Sequence, residues 1–314
     1  MHKEESMDDA AADAGEIIVL SVSHHLKRVL YLVITSVIVL GGTVIAIREL
    51  LAAPLELLYV LPIITIATAL GVNTALHMHF THDSFKSPRP FQYFLAVLGT
   101  FECQESLGQW VANHKRHHKH VDVKDLDPHT PYQFGDSKLT VFTIGLLWAT
   151  IGWKFSRRIT SKSYHKLEFL KDPVLFWIDR YFVAISYAGF AIPFIIGYLF
   201  GGYSLAIKSF AYYGALRVFV GYFITEFIID GLCHSLGTEK FRTAGRAKNI
   251  AILSPLTFGG TLHHNHHAFP RALSTAVDKS DLDTMKPVNW VLMKCGLINA
   301  VQTVEAGALP LRRK

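Results

Sequence analysis

Nine histidines in this 314-residue chain have the spacing of metal ligands. His77 and His82 lie in HMHFTH, His114, His117 and His118 in HKRHH, and His263, His266 and His267 in HHNHH; His234 stands alone at the foot of a long apolar run. Imidazole is the commonest protein metal ligand. Residues three and four apart share a helix face, so each triplet can aim two or three imidazoles at one point. His77 and His82 are five apart, about 140° around an ideal α-helix. That suits a helix end that unwinds, or two separate metals. One ion takes about four to six ligands, so nine donors imply two ions. All-nitrogen ligation with open positions suits iron, copper or zinc.

Glu226, Asp230 and His234 are spaced by four and so share one helical stripe. An acid inside an apolar span marks a functional site. Glu226 is expected either to accept a hydrogen bond from a ligand histidine or to pair with a basic group or headgroup. The three cysteines, Cys103, Cys233 and Cys295, have no paired spacing, which excludes a disulfide framework or a thiolate zinc site.

The elements that must hold these residues are membrane helices. Half of the residues are hydrophobic and 18% are charged, and the apolar ones are gathered into long runs, which excludes an ordinary soluble globule. Four runs, about 29–47, 57–76, 181–200 and 204–229, each reach the roughly 20 residues that a hydrocarbon core about 30 Å thick requires. The expectation is an all-α membrane protein with four transmembrane helices (29–275 in all) and a helical cap from 77–180 and 230–275. Residues 1–28 are expected to be a disordered lead, and 276–314 a tail. The shorter runs 91–101 and 139–153 suit amphipathic helices at the interface.

Lys27, Arg28, the basic segments 115–124 and 154–171 and the tail from Lys240 fall on one side of the spans, whereas Arg48 is the one basic residue in the connections 48–56 and 201–203. Positive-inside bias places both termini, the cap and every clustered histidine in the cytoplasm. The net charge of +6 flanks the spans, so it points to anionic lipid or an acidic carrier and argues against nucleic acid.

In the order H-x4-H, H-x2-HH, H-x2-HH, the chain resembles the membrane-bound acyl-CoA desaturases of the stearoyl, delta-9 type. The likeness extends to Gln104, Asp122, Asp127-Pro128-His129, His234 and the closing His266 to Pro270, and covers roughly residues 30–275. It implies a cytoplasmic cap holding two iron ions on the nine histidines. It also implies removal of two hydrogens from a fatty acyl chain with O2 and an external electron donor. The acyl carrier would be CoA, acyl carrier protein or a lipid. The donor would be a ferredoxin or small cytochrome with its reductase, since no dinucleotide glycine fingerprint is present. Lys115, Arg116, Lys119 and Lys124 are candidates to steer such an acidic partner.

The chain departs from that family beside the metals. Asp230 stands where the family has Asn, as a candidate ligand or a partner for a bound water. Gly259-Gly260-Thr261-Leu262 replaces Gly-Glu-Gly-Trp, and His79 and His264 are extra imidazoles. Acetylenase or hydroxylase chemistry on the same scaffold stays open. A metal transporter would need ionisable ligands near mid-span, and a non-catalytic scaffold would have eroded clusters.

Overall fold

The computed structural model describes residues 15–304. Among them, three helices are long and apolar enough to cross a membrane: Val22–Ala52, Pro54–Thr81 and Phe182–Ser235. The first, α1 (Val22–Ala52), starts where Ser21 accepts a hydrogen bond from the His24 N–H, and so begins seven residues before the expected span. Its inner stripe is Leu32, Thr35, Val39, Gly42, Thr43, Ala46 and Leu50, whereas Val33, Val37, Leu40, Val44 and Leu51 lie exposed on the other face. Lipid is the solvent that suits so many bare aliphatic side chains.

Gly42 sets how closely α1 approaches the last helical arm, because a Cβ there would lie 2.4 Å from the Ala215 Cβ. Gly42→Leu is expected to destabilise the protein by about 1–3 kcal/mol through overpacking. A thermal-unfolding midpoint measured in detergent checks this.

The second span is an α-helix, α2 (Leu57–Thr68), that continues as a π-helix over Ala69–Thr81. The third stretch, α7 (Phe182–Ser235), is broken at Gly201 and Gly202, the latter at φ 64°, ψ −160°, a conformation that needs glycine. The two arms fold back on one another: Gly197 packs against Ala206, and Gly214 against Phe190. The return arm winds as a π-helix over Phe210–Leu216 and again over Phe223–Leu232.

Between these spans lie α3 (Arg89–Phe101), α4 (Leu107–Lys119), the short apolar helix α5 (Lys138–Thr150) and α6 (Pro173–Arg180); α8 (His263–Ala268) and α9 (Met285–Lys294) follow α7. The largest buried apolar cluster joins Val72, Ala75 and Leu76 of the second span to Leu95, Val111, Leu175 and Leu292. It binds this helical layer to the end of the span that carries His77.

Part of the expected lead is ordered. Ile17–Val19 forms β1, which pairs antiparallel with β2 (Arg158–Thr160) in an otherwise all-α chain. The reason is local: Glu16 is buried, with its carboxylate on Lys119, His120 and His165. Residues 1–14 lie outside the described residues, as do 305–314 of the expected tail. The nearer part of that tail is built into the fold: the Asp281 carboxylate accepts from Asn265, between the histidines of α8.

Candidate metal centre

All nine expected ligands converge, and they do so in two groups. His77, His82, His114, His118 and His266 form one; His117, His234, His263 and His267 form the other. In each group one nitrogen per ring lies within 4.8 Å of all the rest. In the first, Nε2 of His266 is 3.0 Å from Nε2 of both His77 and His118, and His118 is 3.1 Å from His114. In the second, Nε2 of His263 is 3.0 Å from those of His234 and His267, and His267 is 3.4 Å from His117.

The groups cut across the sequence clusters. His114 and His118 are about 40° apart on α4, whereas His117 is about 60° from His114 on the other side. The first two therefore turn to one centre and His117 to the other. On α8, His263 and His267 go together and His266 turns away. His77 and His82 meet because the π-helix bonds residue i to i+5, which sets residues five apart nearly over each other. The His82 N–H donates to the His77 carbonyl at 3.1 Å, and the two rings lie 4.8 Å apart.

Burial favours the neutral form in most of these imidazoles. It pushes His82, His114, His117, His263, His266 and His267 well below the ordinary histidine range, and His118 down to about 3. Neutral rings keep a lone pair for a cation.

Two aspartates fix which nitrogen carries it. His117 Nδ1 donates to Asp127 Oδ2 at 2.9 Å, and His234 Nδ1 to Asp122 Oδ1 at 3.0 Å, so in the neutral rings both Nε2 atoms are acceptors. Their Nε2 lone pairs face other imidazole nitrogens with no polar hydrogen of their own between, and the His82 Nε2 is buried without a partner. Crowded, neutral, acceptor-bearing nitrogens are what a cationic centre satisfies, so the donor set fits two metal ions. Asp122 holds its place at φ 61°, gripped by the Arg246 N–H and the Thr130 hydroxyl. Asp122→Asn is expected to weaken metal affinity about 10–100-fold, as read by chelator competition.

Other candidates fall elsewhere. His264 donates from Nδ1 to the Ala247 carbonyl and accepts the Phe241 N–H on Nε2, so both nitrogens serve the backbone. His79 stacks on Phe85, outside either group. Asp230 belongs to neither group; its carboxylate lies 4.0 Å from His129 Nδ1 and lines a cavity with His77, His114, His263 and His266.

Of the two roles open to Glu226, the structure shows the pairing with a basic group. The acid contacts no ligand histidine but pairs with Lys154 Nζ at 2.9 Å and accepts from the Trp153 indole at 3.3 Å. The stripe linking Glu226 to His234 assumed α-helical winding. Over Phe223–Leu232 the chain winds as a π-helix, which sets Gly231 over Glu226 and turns the acid away. Arg217 pairs with Glu102. Of the four basic residues expected to face a partner, Arg116 is buried on the Leu126 carbonyl and Thr160, and Lys119 reaches Glu16 and Tyr164.

Sequence reasoning missed the support around the centre. Trp110 stacks on His114 with centroids 4.9 Å apart and donates to Gln104 Oε1 at 2.8 Å. His129 stacks on His117 at 4.4 Å, and Asn73 lies beside His77 Nδ1 at 3.4 Å. The Asp-Pro-His sequence was the available signal for His129; Trp110 and Asn73 gave none.

The nearby cavity is lined by Thr65, Thr68 and Val72 of the second span, Ile224 and Ile229 of α7, Phe258 and Gly260, and reaches the histidines. Its lining is mostly apolar.

Similar sequences occur among proteins named as desaturases and an acetylenase. A hex-5-enoyl-[acyl-carrier protein] acetylenase of Moorena producens is 29% identical over 73% of this chain and 71% of its own length. The sn-1 stearoyl-lipid 9-desaturase of Anabaena variabilis is 28% identical over 76% of this chain and 81% of its own. An acyl-CoA C20 Delta5-desaturase of Anemone leveillei is 27% identical over 71% and 65%. The family model described as fatty acid desaturase matches residues 55–287, a stretch that contains all nine histidines, and this multi-pass membrane chain belongs to that family.

Proposed function

We propose that this protein is an oxygen-dependent di-iron desaturase that introduces a double bond into a fatty acyl chain. The observation that carries this is the pair of all-histidine groups at the end of an apolar passage. Two C–H bonds of a –CH2–CH2– unit are broken; with O2, two electrons and two protons the products are –CH=CH– and two waters. An unactivated C–H bond is beyond ordinary acid–base side chains, so the bound irons would supply the oxidising power.

The chain's own residues do the rest. His77, His82, His114, His118 and His266 would hold one iron, and His117, His234, His263 and His267 the other. Asp122 and Asp127 keep the Nε2 atoms of His234 and His117 directed at the ion. Val72, Ile224 and Ile229 wall the acyl chain so that one pair of carbons faces the centre. Asp230 offers a carboxylate at the cavity wall to hold a water by hydrogen bond.

The two arms of α7 would each cross the bilayer, giving four crossings with both termini and the histidines in the cytoplasm, as the basic residues favour. Electrons would come from a ferredoxin or small cytochrome with its reductase. The acetylenase reading rests on one relative's name: the same step applied to an existing double bond would give a triple bond.

Expression in a desaturase-deficient host with mass spectrometry of total fatty acids tests this. New monounsaturated chains are expected, with two irons per purified chain. Acetylenic products would favour the second reading, and no new product with fewer than two irons would overturn both.

A further inference from the structure

Desaturation consumes protons at a buried centre. An acyl chain that fills the histidine passage shuts water out of it, so the protons need another way in. A line of buried ionisable side chains, none of them in either histidine group, lies between solvent and that passage.

Its outer end is a cavity of about 290 Å³ at the start of α1, walled by Lys27, Arg28, Glu105, Ser106, Gln109 and Lys154. Lys27 is exposed, so the cavity meets solvent there. Lys154 forms the inner wall. It is 1% exposed, and its Nζ lies 2.9 Å from Glu226 Oε1 and over the rings of Trp153 and Tyr222. Glu226 is equally buried, and Asp230 follows it by four residues on the same π-helix, within reach of its charge. Asp230 in turn lines the passage with His77, His114, His263 and His266. Its Oδ2 stands 4.0 Å from His129 Nδ1, a buried nitrogen with no hydrogen-bond partner. A bridging water completes a polar contact of that length.

The residue types agree with proton transfer. A lysine ammonium can release a proton and regain it, whereas arginine stays charged. A carboxyl group can both accept a proton and donate it. At position 230 the family pattern has Asn, whose amide holds a water but cannot pass a proton on; this chain has the carboxyl. Acids and bases inside a span mark ion and proton paths. A purely structural ion pair is the competing account. It covers Lys154 with Glu226 but leaves out Asp230, which has no Lys or Arg partner among the described residues.

We propose that Lys154, Glu226 and Asp230 form a proton relay from the cavity at the start of α1 to the histidine passage. A Lys154 N–H bond breaks as a Glu226 O–H bond forms. Glu226 passes a proton to Asp230, and Asp230 releases one into the passage. Lys154 recovers its proton from solvent at the outer cavity, so the three groups end as they began. This rests on the desaturase reading, whose chemistry consumes the protons.

Two variants of the full-length chain test the relay. Lys154→Arg keeps a positive charge opposite Glu226 but cannot release a proton, and Asp230→Asn keeps the shape of the inner end. In the desaturase-deficient host each should form new unsaturated chains more slowly, by about tenfold or more. Both should keep the parent's iron content and its unfolding midpoint in detergent. A second measurement needs neither iron nor turnover. After a pH jump on the purified metal-free chain, time-resolved infrared follows the Asp230 carboxyl band, identified by its loss in Asp230→Asn. Lys154→Arg should slow that band's response by about tenfold or more, because arginine holds its protons. Glu226→Gln, which interrupts the line at its middle, should slow it equally and serves where the larger arginine unfolds the chain. An unchanged infrared response in these variants would overturn the relay, even with turnover lost. A slowed response in a chain whose parent makes no unsaturated product would overturn the desaturase reading and leave the relay standing.

Discussion

His263→Ala is expected to cut bound iron from two to one per chain and to lower acyl desaturation by more than about 100-fold, because changing only the groups that hold a ligand already costs about 10–100-fold. His263 Nε2 lies 3.0 Å from the Nε2 atoms of both His234 and His267, so its loss strips the middle of a four-imidazole group. The other five-imidazole group keeps all its donors. The neighbouring change His264→Gln is the control, because His264 spends both nitrogens on the backbone at Ala247 and Phe241. Iron content should stay at two there, with any loss confined to stability. Metal analysis of both variants decides it: equal iron loss would contradict the division into two groups.

Arg217→Met should destabilise the protein by about 3–5 kcal/mol, the cost of leaving one member of a buried ion pair alone. Its guanidinium pairs with Glu102, which is fully buried, and also donates to the carbonyls of Phe101 and Tyr213. Glu102 otherwise has one long contact, 3.4 Å from the Thr68 hydroxyl, and packs where a Cβ on Gly221 would come within 2.7 Å. Glu102→Gln with Arg217→Met should recover most of the loss, since no buried charge then stands unpaired. Thermal unfolding of the single and double variants in detergent checks this. A single variant as stable as the parent would mean that the pair contributes little.

The two predictions differ in how far the sequence supported them. The histidines could be named because ligand chemistry restricts residue type and because i, i+3 and i+4 spacing is local to one helix. The Arg217–Glu102 pair could not, since it joins residues 115 positions apart and no pattern at either end marks the other. The partner of Glu226 was not legible for a narrower reason. Its partner Lys154 comes from a segment 72 positions away, and the stripe argument took 3.6 residues per turn where the chain adopts a π-helix.

The sequence by itself determined the membrane class, the family and the nine histidines, because hydropathy, residue type and short spacing are all properties of contiguous chain. Only the tertiary structure decided how the nine are shared. Each HxxHH triplet spreads its rings over about 100° of helix surface, so which ring serves which centre depends on where the helices stand. The π-helical ending of the second span brings His77 and His82 together, and Asp122 and Asp127 reach His234 and His117 from a loop. The opening crowd of imidazoles becomes two centres through packing, which no local pattern encodes.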